Sequence, residues 1–270
     1  MTAPAFPTPT PTPPGAASVP TPIPAWTVAT MFVRLLAIQG SWNYEILLGN
    51  GIGFCVEPAL RLLPGGQFGE AYRQALARQS QYFNAHPYLA AVAVGALARA
   101  ELDGEQPQRI ERFRTALCGP LGSVGDRLVW AGWVPFCSFL TLAAVGLGLG
   151  PMGAVLLFLG IYNVGHFWLR AWGLREGLRR GLKVAQALGH PVLRHGPVQV
   201  ARATALAAGI ALPVLVSRII GAGRVHTIEV LAAVAVGAVI VARLHGRTEG
   251  WKIALGILAA FVLYSVVLHA

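Results

Sequence analysis

The chain has 270 residues, 55% of them hydrophobic and 12% charged, with a mean hydropathy of +0.58 and a formal net charge of +10. Soluble globular domains carry about 25% charged residues, so this composition argues against a soluble enzyme and for an integral membrane protein. The basic excess is spread along the chain instead of forming a tail, and no DNA- or RNA-binding motif accompanies it, so it reads as a membrane-orientation signal before a nucleic-acid surface.

Residues 1–25 are rich in Pro, Thr and Ala and carry no charge, which predicts a disordered or polyproline-like tail that forms no core. It lacks the basic start and unbroken apolar run of a signal peptide. Because such a tail repays no ordering entropy, deleting residues 1–24 is expected to leave assembly into the membrane unchanged. Loss of the protein from a membrane-fraction blot would overturn this.

An apolar segment, Trp26–Ala37, leads into a dense polar stretch, Gln39–Glu45, read QGSWNYE. Buried polar side chains must find partners, so this stretch either meets water or belongs to a site. Leu47–Leu63 is apolar but interrupted by Gly49, Gly51, Gly53, Glu57 and Pro58, which suggests a re-entrant or interfacial helix pair instead of a full span. Phe68–Phe83 reads as an amphipathic helix that ends at Asn84 before His86-Pro87, within a second polar island, QYFNAHP at Gln81–Pro87. Tyr88–Ala100 is helical and Ala-rich. Pro107 opens a short helix with Ile110, Phe113 and Leu117 on one side and Arg109, Arg112 and Arg114 on the other, which Gly119-Pro120 should stop.

The third polar island, GPLGSVGD at Gly119–Asp126, superficially resembles a phosphate cradle, but no Gly-Lys-Ser/Thr follows it. Asp126 is placed to cap the helix entering the membrane, with Gly122 and Gly125 allowing a tight entry turn. Residues 128–169 contain no Asp, Glu, Lys or Arg, about twice the ~20 residues of a helical span. They predict a transmembrane hairpin turning at Gly146–Pro151. Arginines flank both its ends, so the positive-inside rule places the N-terminus and the Arg170–Lys183 segment in the cytoplasm. Three further apolar runs, Ala203–Ser217, Val230–Ala242 and Ile253–Leu268, are assigned as spans, which leaves the C-terminus outside.

The expected fold is therefore all-α: a polytopic helical membrane protein with re-entrant or amphipathic N-terminal helices and about five C-terminal spans. Its divisions are 1–25 as tail, 26–126 as the helical region bearing the polar motifs, and 127–270 as the transmembrane region. Three cysteines, Cys55, Cys118 and Cys137, lie far apart and suggest neither a disulfide framework nor a metal site. The seven histidines form no cluster of nucleophile, base and orienting acid, so no catalytic residue and no cofactor is expected.

The three islands, in this order, resemble motifs of the IID membrane subunit of the mannose/fructose/sorbose-type sugar phosphotransferase system. Gln39 to Glu45 match that family's Q-G-S-W-N-[FY]-E element throughout, and Tyr82, Phe83, Asn84, Ala85 and Pro87 align with F-F-N-[TA]-x-P. Gly119, Pro120, Leu121, Val124, Gly125 and Asp126 match M-G-P-L-A-G-[IV]-G-D. The sequence departs at Cys118 for Met, Gly122-Ser123 for Ala-Gly, Arg127 for Pro and Arg114 for Lys. The resemblance implies a subunit in the bacterial inner membrane that works with a IIC membrane subunit and soluble IIA and IIB phosphoryl carriers to move a hexose, as a hetero-oligomer and without a phosphorylated residue of its own. Alternatives are a membrane scaffold or regulator derived from the family, or an unrelated polytopic transporter.

Candidate substrate- or partner-contacting residues are Gln39, Ser41, Trp42, Asn43, Glu45, Asn84, Gly119, Pro120, Gly125 and Asp126. Trp42 would stack on a sugar face while the amide and carboxylate groups take hydroxyls, or the same groups would satisfy broken-helix backbone at the IIC contact. Asn84 is ranked above His86. The arginine-rich segment after the hairpin suits either lipid headgroups or the soluble carriers.

Overall fold

The computed structural model describes residues 22–184 and 191–220. Eight α-helices appear among them: α1 (Ala25–Leu35), α2 (Gly49–Leu60), α3 (Glu70–Gln79), α4 (Ala90–Leu102), α5 (Pro107–Gly125), α6 (Val134–Gly146), α7 (Pro151–Arg180) and α8 (Pro191–Ile220). Outside helices, strand-like pairing in the described residues is limited to two isolated bridges, Asn43 with Leu47 and Leu47 with Phe83. Three stretches are long and apolar enough to cross a membrane: Pro107–Gly146, Pro151–Val184 and Leu193–Leu215. The protein is an all-α membrane protein. The tail up to residue 21 and the runs expected to span at Val230–Ala242 and Ile253–Leu268 lie outside the described residues.

The chain divides into two compact units, one of residues up to Val134 with Ile161–Val200, the other of Pro135–Gly160 with the residues from Ala201 on. In the first unit α2 and α4 are almost wholly enclosed, with Ile52, Cys55, Val56 and Ala59, and Ala90 to Ala98, showing essentially no exposed surface. The interrupted run Leu47–Leu63 thus makes a true helix despite Pro58. Its glycines allow this: a Cβ at Gly51 would meet the Ile38 carbonyl oxygen at 1.9 Å, and one at Gly49 the Gln81 oxygen at 2.3 Å. Burial also pushes the Cys55 thiol up to about 12, which leaves it an inert packing group. Glu57, which looked like an interruption, accepts hydrogen bonds from Arg34 (2.7 Å), Arg61 (2.6 Å) and the Tyr72 hydroxyl (2.8 Å), and so ties α1, α2 and α3 together. Burial alone would push its carboxyl up, but the bonds from Arg61, Tyr72 and Arg34 outweigh it and hold it below the usual carboxylate value.

Helices α4 and α7 meet backbone to backbone. A Cβ at Gly95 would lie 2.4 Å from the Leu174 oxygen, and one at Gly177 would lie 2.3 Å from the Val92 oxygen. This is the close approach that small residues permit between apolar helices.

Two expectations for the third island fail. Gly119-Pro120 does not stop a short helix, because α5 runs on through Pro120 and continues by a π-helical segment, Asp126–Trp133, into α6. Ile110, Arg114, Leu117, Leu121 and Gly125 form one buried stripe across the proline, and that packing overrides the local breaker signal. Asp126 consequently lies within a continuous helix, exposed to solvent, and caps nothing; no entry turn exists for Gly122 and Gly125 to make. Arg114 also belongs to the buried face, not to the side opposite Ile110. The hairpin turn, in contrast, falls at Leu147–Gly150 as the glycines and Pro151 predict, with Gly148 at a φ of 112°.

Candidate functional site

The three polar islands, far apart in sequence, meet in the first unit. Gln39–Glu45 is a loop between α1 and α2, closed by Asn43, whose Oδ1 accepts from the Glu45 and Ile46 amides at 3.0 Å each. This Asx-type turn is what an Asn contributes that most residues cannot. Leu47 follows with a φ of 51°, an uncommon conformation for a bulky side chain, and bridges both to Asn43 and to Phe83. The Phe83 N–H donates to the Ile46 oxygen (3.1 Å) and its carbonyl accepts from Leu48 (3.0 Å), so the second island lies along the end of the first.

His86 joins the third. Its N–H donates to the Leu121 oxygen at 3.4 Å, and a Cβ on Gly125 would lie 2.2 Å from the His86 Cβ, so α5 approaches this loop as closely as its glycine allows. Arg114 of α5 holds the loop from below. Its guanidinium donates to the Gln79 side-chain oxygen (2.7 Å) and to the carbonyls of Gln79 (3.2 Å), Gln81 (2.9 Å) and Tyr82 (3.4 Å), and lies 5.2 Å from the Phe83 ring centroid. Gln79 in turn donates to Glu101 at 2.6 Å, which Arg78 grips with two bonds.

The surface that results is polar and aromatic. Gln39, Ser41, Tyr44, Glu45 and Asn84 are exposed, and Asn43 is half-buried. Trp42 is 44% exposed and Tyr44 89%, and their rings meet edge to face at 4.8 Å. Gly119, Pro120 and Asp126 face outward on α5, whereas Gly125 is packed against His86, so the ten expected site residues divide into an exposed loop patch, an exposed helix face and one packing glycine.

His86 is more central than its sequence suggests. It is 1% exposed; its Nδ1 accepts the Tyr88 N–H at 3.2 Å, while its Nε2 has no hydrogen-bond partner. Burial, reinforced by the positive charge of Arg170, pushes the imidazole down to about 4, so the ring is neutral at physiological pH. Because the folded value lies below the ordinary 6.5, the stability this group contributes is complete above 6.5 and is lost as pH falls from there toward 4. The apparent melting temperature in detergent is expected to fall already between pH 6.5 and 4.5, above the carboxylate range, and to fall less in His86→Gln. An identical pH slope in both proteins would refute this.

Beside His86 lies a cluster that sequence reading did not assemble. Arg170 of α7 is buried, donates from Nε to the Leu35 oxygen (3.3 Å), stacks 4.1 Å over the Tyr88 ring and lies 2.8 Å from His166 Nδ1. His166 Nε2 reaches Asn163 at 2.8 Å, and the Tyr88 and Tyr162 hydroxyls share a hydrogen bond. The signal available was His166 and Arg170 at i, i+4 at the end of a charge-free run, where an ionisable pair inside an apolar helix marks function. Next to Tyr88 and His166 opens a cavity of about 380 Å³ walled by Leu128, Trp133, Leu169 and Val200. Its polar groups are too few to satisfy the several hydroxyls of a sugar. Among the described residues no group of three or more His, Cys, Asp or Glu could hold a metal.

Helices of spanning length around an enclosed helical core define a polytopic membrane protein, and its first unit presents an exposed aromatic loop. Its relatives make the identity specific. The profile of the PTS system mannose/fructose/sorbose family IID component matches residues 23–222, and the chain belongs to that family. It is 31% identical over 167 residues to the PTS system mannose-specific EIID component of Escherichia coli K12, covering 59% of this chain and 57% of that protein. It is 30% identical over 166 residues to the fructose permease IID component of Bacillus subtilis 168 (60% and 59% covered), and 32% identical over 176 residues to the sorbose-specific EIID component of Klebsiella pneumoniae (62% and 61%). The match thus spans less than two thirds of the length of these relatives. In fold, the chain is similar to one from the cryo-electron microscopy structure of the mannose transporter ManYZ with microcin E492, with a TM-score of 0.53 at 22% identity over 91% of this chain and 97% of the other. A second solved membrane protein gives a TM-score of 0.61, also at 22% identity, over 90% and 97%.

Proposed function

We propose that this chain is the IID subunit of a mannose-type phosphotransferase system in the bacterial inner membrane. With a IIC subunit it carries a hexose inward, and the phosphoryl group comes from soluble IIA and IIB carriers without residing on this chain. The N-terminus and the Arg170–Lys183 segment face the cytoplasm. The observation that carries the reading is the exposed Trp42–Tyr44 pair on a loop that Asn43 closes and Phe83 pins at its end. Exposed paired aromatics on a braced loop are suited to burial against another protein surface, and Trp and Tyr are enriched at the centre of such contacts. Gln39, Ser41, Trp42, Glu45 and Asn84 therefore face the IIC subunit, and the sugar is met where the two subunits join.

The test is uptake of a labelled hexose by cells co-expressing this chain with its IIC and IIB partners. Trp42→Ala and Glu45→Gln are expected to reach the membrane in normal amount, to co-purify with IIC at least ten-fold less, and to lose most uptake. Normal co-purification and uptake in both variants would sink the assignment of the loop. Uptake lost with assembly intact would move these residues from the partner to the sugar.

A further inference from the structure

An apolar groove of about 880 Å³ runs between α1 and α7, floored by Val28, Ala29 and Phe32 on one side and Ala171, Leu174 and Leu178 on the other. Arg99, Arg175 and Arg179 also line it. Arg99, Leu178 and Arg179 also line a second, polar recess of about 840 Å³ that includes Arg180 and Lys183, so the groove and the recess share a wall. In the recess Asp103 pairs with Arg99 (3.7 Å) and Glu105 with Arg109 (2.7 Å), and Glu176 binds Arg179 (2.9 Å) and Arg180 (2.6 Å). These carboxylates leave a surplus of positive charge, for neither Arg175 nor Lys183 forms an ion pair within 4 Å of a described carboxylate.

The depth along α7 supports one kind of occupant. Pro151–Leu169 carries no charge and makes roughly 28 Å of helix, close to the ~30 Å hydrocarbon core of a bilayer. The residues from Arg170 onward then lie at headgroup level, and α1, too short to span, lies beside them as an amphipathic interfacial helix. A free phosphate or an acidic soluble protein would satisfy the basic side chains and leave the groove bare. An uncharged apolar chain would do the reverse. We propose that the groove and its basic side chains are a binding site for one anionic phospholipid, its phosphate held by Arg99, Arg175 and Arg179 and its acyl chain laid between Phe32 and Ala171. This site is independent of the transport reading and of the Trp42 loop.

The experiment uses the full chain purified in mild detergent, exchanged into micelles containing either phosphatidylglycerol or phosphatidylcholine, with retained lipid counted by native mass spectrometry. Phosphatidylglycerol is expected to be retained at least five-fold over phosphatidylcholine, and millimolar inorganic phosphate is expected not to displace it. Arg175→Gln and Arg179→Gln should each lower retention about five-fold, the effect of one basic side chain at an anionic surface. Ala171→Trp keeps every charge, fills the groove and should lower retention as strongly; Ala171→Leu serves the same purpose if the larger residue fails to fold. Equal retention of the two lipids, or retention unchanged in the arginine or Ala171 variants, would overturn the proposal. Displacement by phosphate would show a simple anion site. Photo-crosslinking from Ala29→Cys to a co-expressed IIC subunit in native membranes, instead of to lipid, would show that a protein covers the groove.

Discussion

Arg114→Ala is expected to be the most damaging single truncation of a charged side chain in the chain, at about 3–5 kcal/mol. Arg114 is 4% exposed, and its guanidinium satisfies three backbone carbonyls and the Gln79 side chain at once. Removing it leaves those acceptors buried without donors and unlinks the Arg78–Glu101–Gln79 network from the second polar island. Arg114→Lys should recover only part of the loss, since an ammonium cannot reach two separate carbonyl groups as a planar fork does. Arg112, exposed two residues away, is the control and should tolerate alanine within about 0.5 kcal/mol. Thermal unfolding of the detergent-extracted protein measures this directly. An Arg114→Ala protein that unfolds with the wild type would mean that the loop is braced by something else.

The second expectation separates the three glycines of GPLGSVGD. A Cβ on Gly125 would strike His86 Cβ at 2.2 Å and Cγ at 2.5 Å, whereas nothing lies within 4 Å of one on Gly119 or Gly122. Gly125→Ala should therefore cost about 1–3 kcal/mol through overpacking, and Gly125→Leu should abolish folded protein in the membrane. Gly119→Ala and Gly122→Ala sit on the exposed or half-exposed side of a long helix, and each should add up to about 1 kcal/mol by removing a poor helix former. The contrast is the informative readout, because a motif conferring flexibility would suffer at all three positions. Equal losses at Gly119, Gly122 and Gly125 would defeat the packing explanation.

The parts of this fold that the sequence announces are those written in local chemistry. The turn at Leu147–Gly150 was legible because glycines and a proline interrupt an otherwise charge-free run, and α3 was legible from its amphipathic face. Arg114 was misplaced because its partners, Gln79 and Gln81, lie more than thirty residues earlier and leave no mark on α5 itself. Gly119-Pro120 misled for the same reason: local breaker chemistry is real, but the buried stripe from Ile110 to Gly125 outweighs it. The loop residues of QGSWNYE could be named from resemblance, yet their contact with Phe83 is a bridge between distant segments that no spacing within the motif reveals.

The backbone seam between α4 and α7 has a consequence in time. Gly95 of α4 emerges from the ribosome some eighty residues before Gly177 of α7, the partner that its bare backbone is shaped to receive. At about 5–20 residues per second, that leaves the apolar face of α4 around Gly95 without its native cover for roughly 4–16 s. No later residue can substitute during the wait, since a side chain at either glycine would hold the helices apart. The nascent chain must be sheltered over that interval by the insertion machinery, and slowed translation between the two helices should raise the fraction of chains degraded before assembly without altering the stability of those that finish.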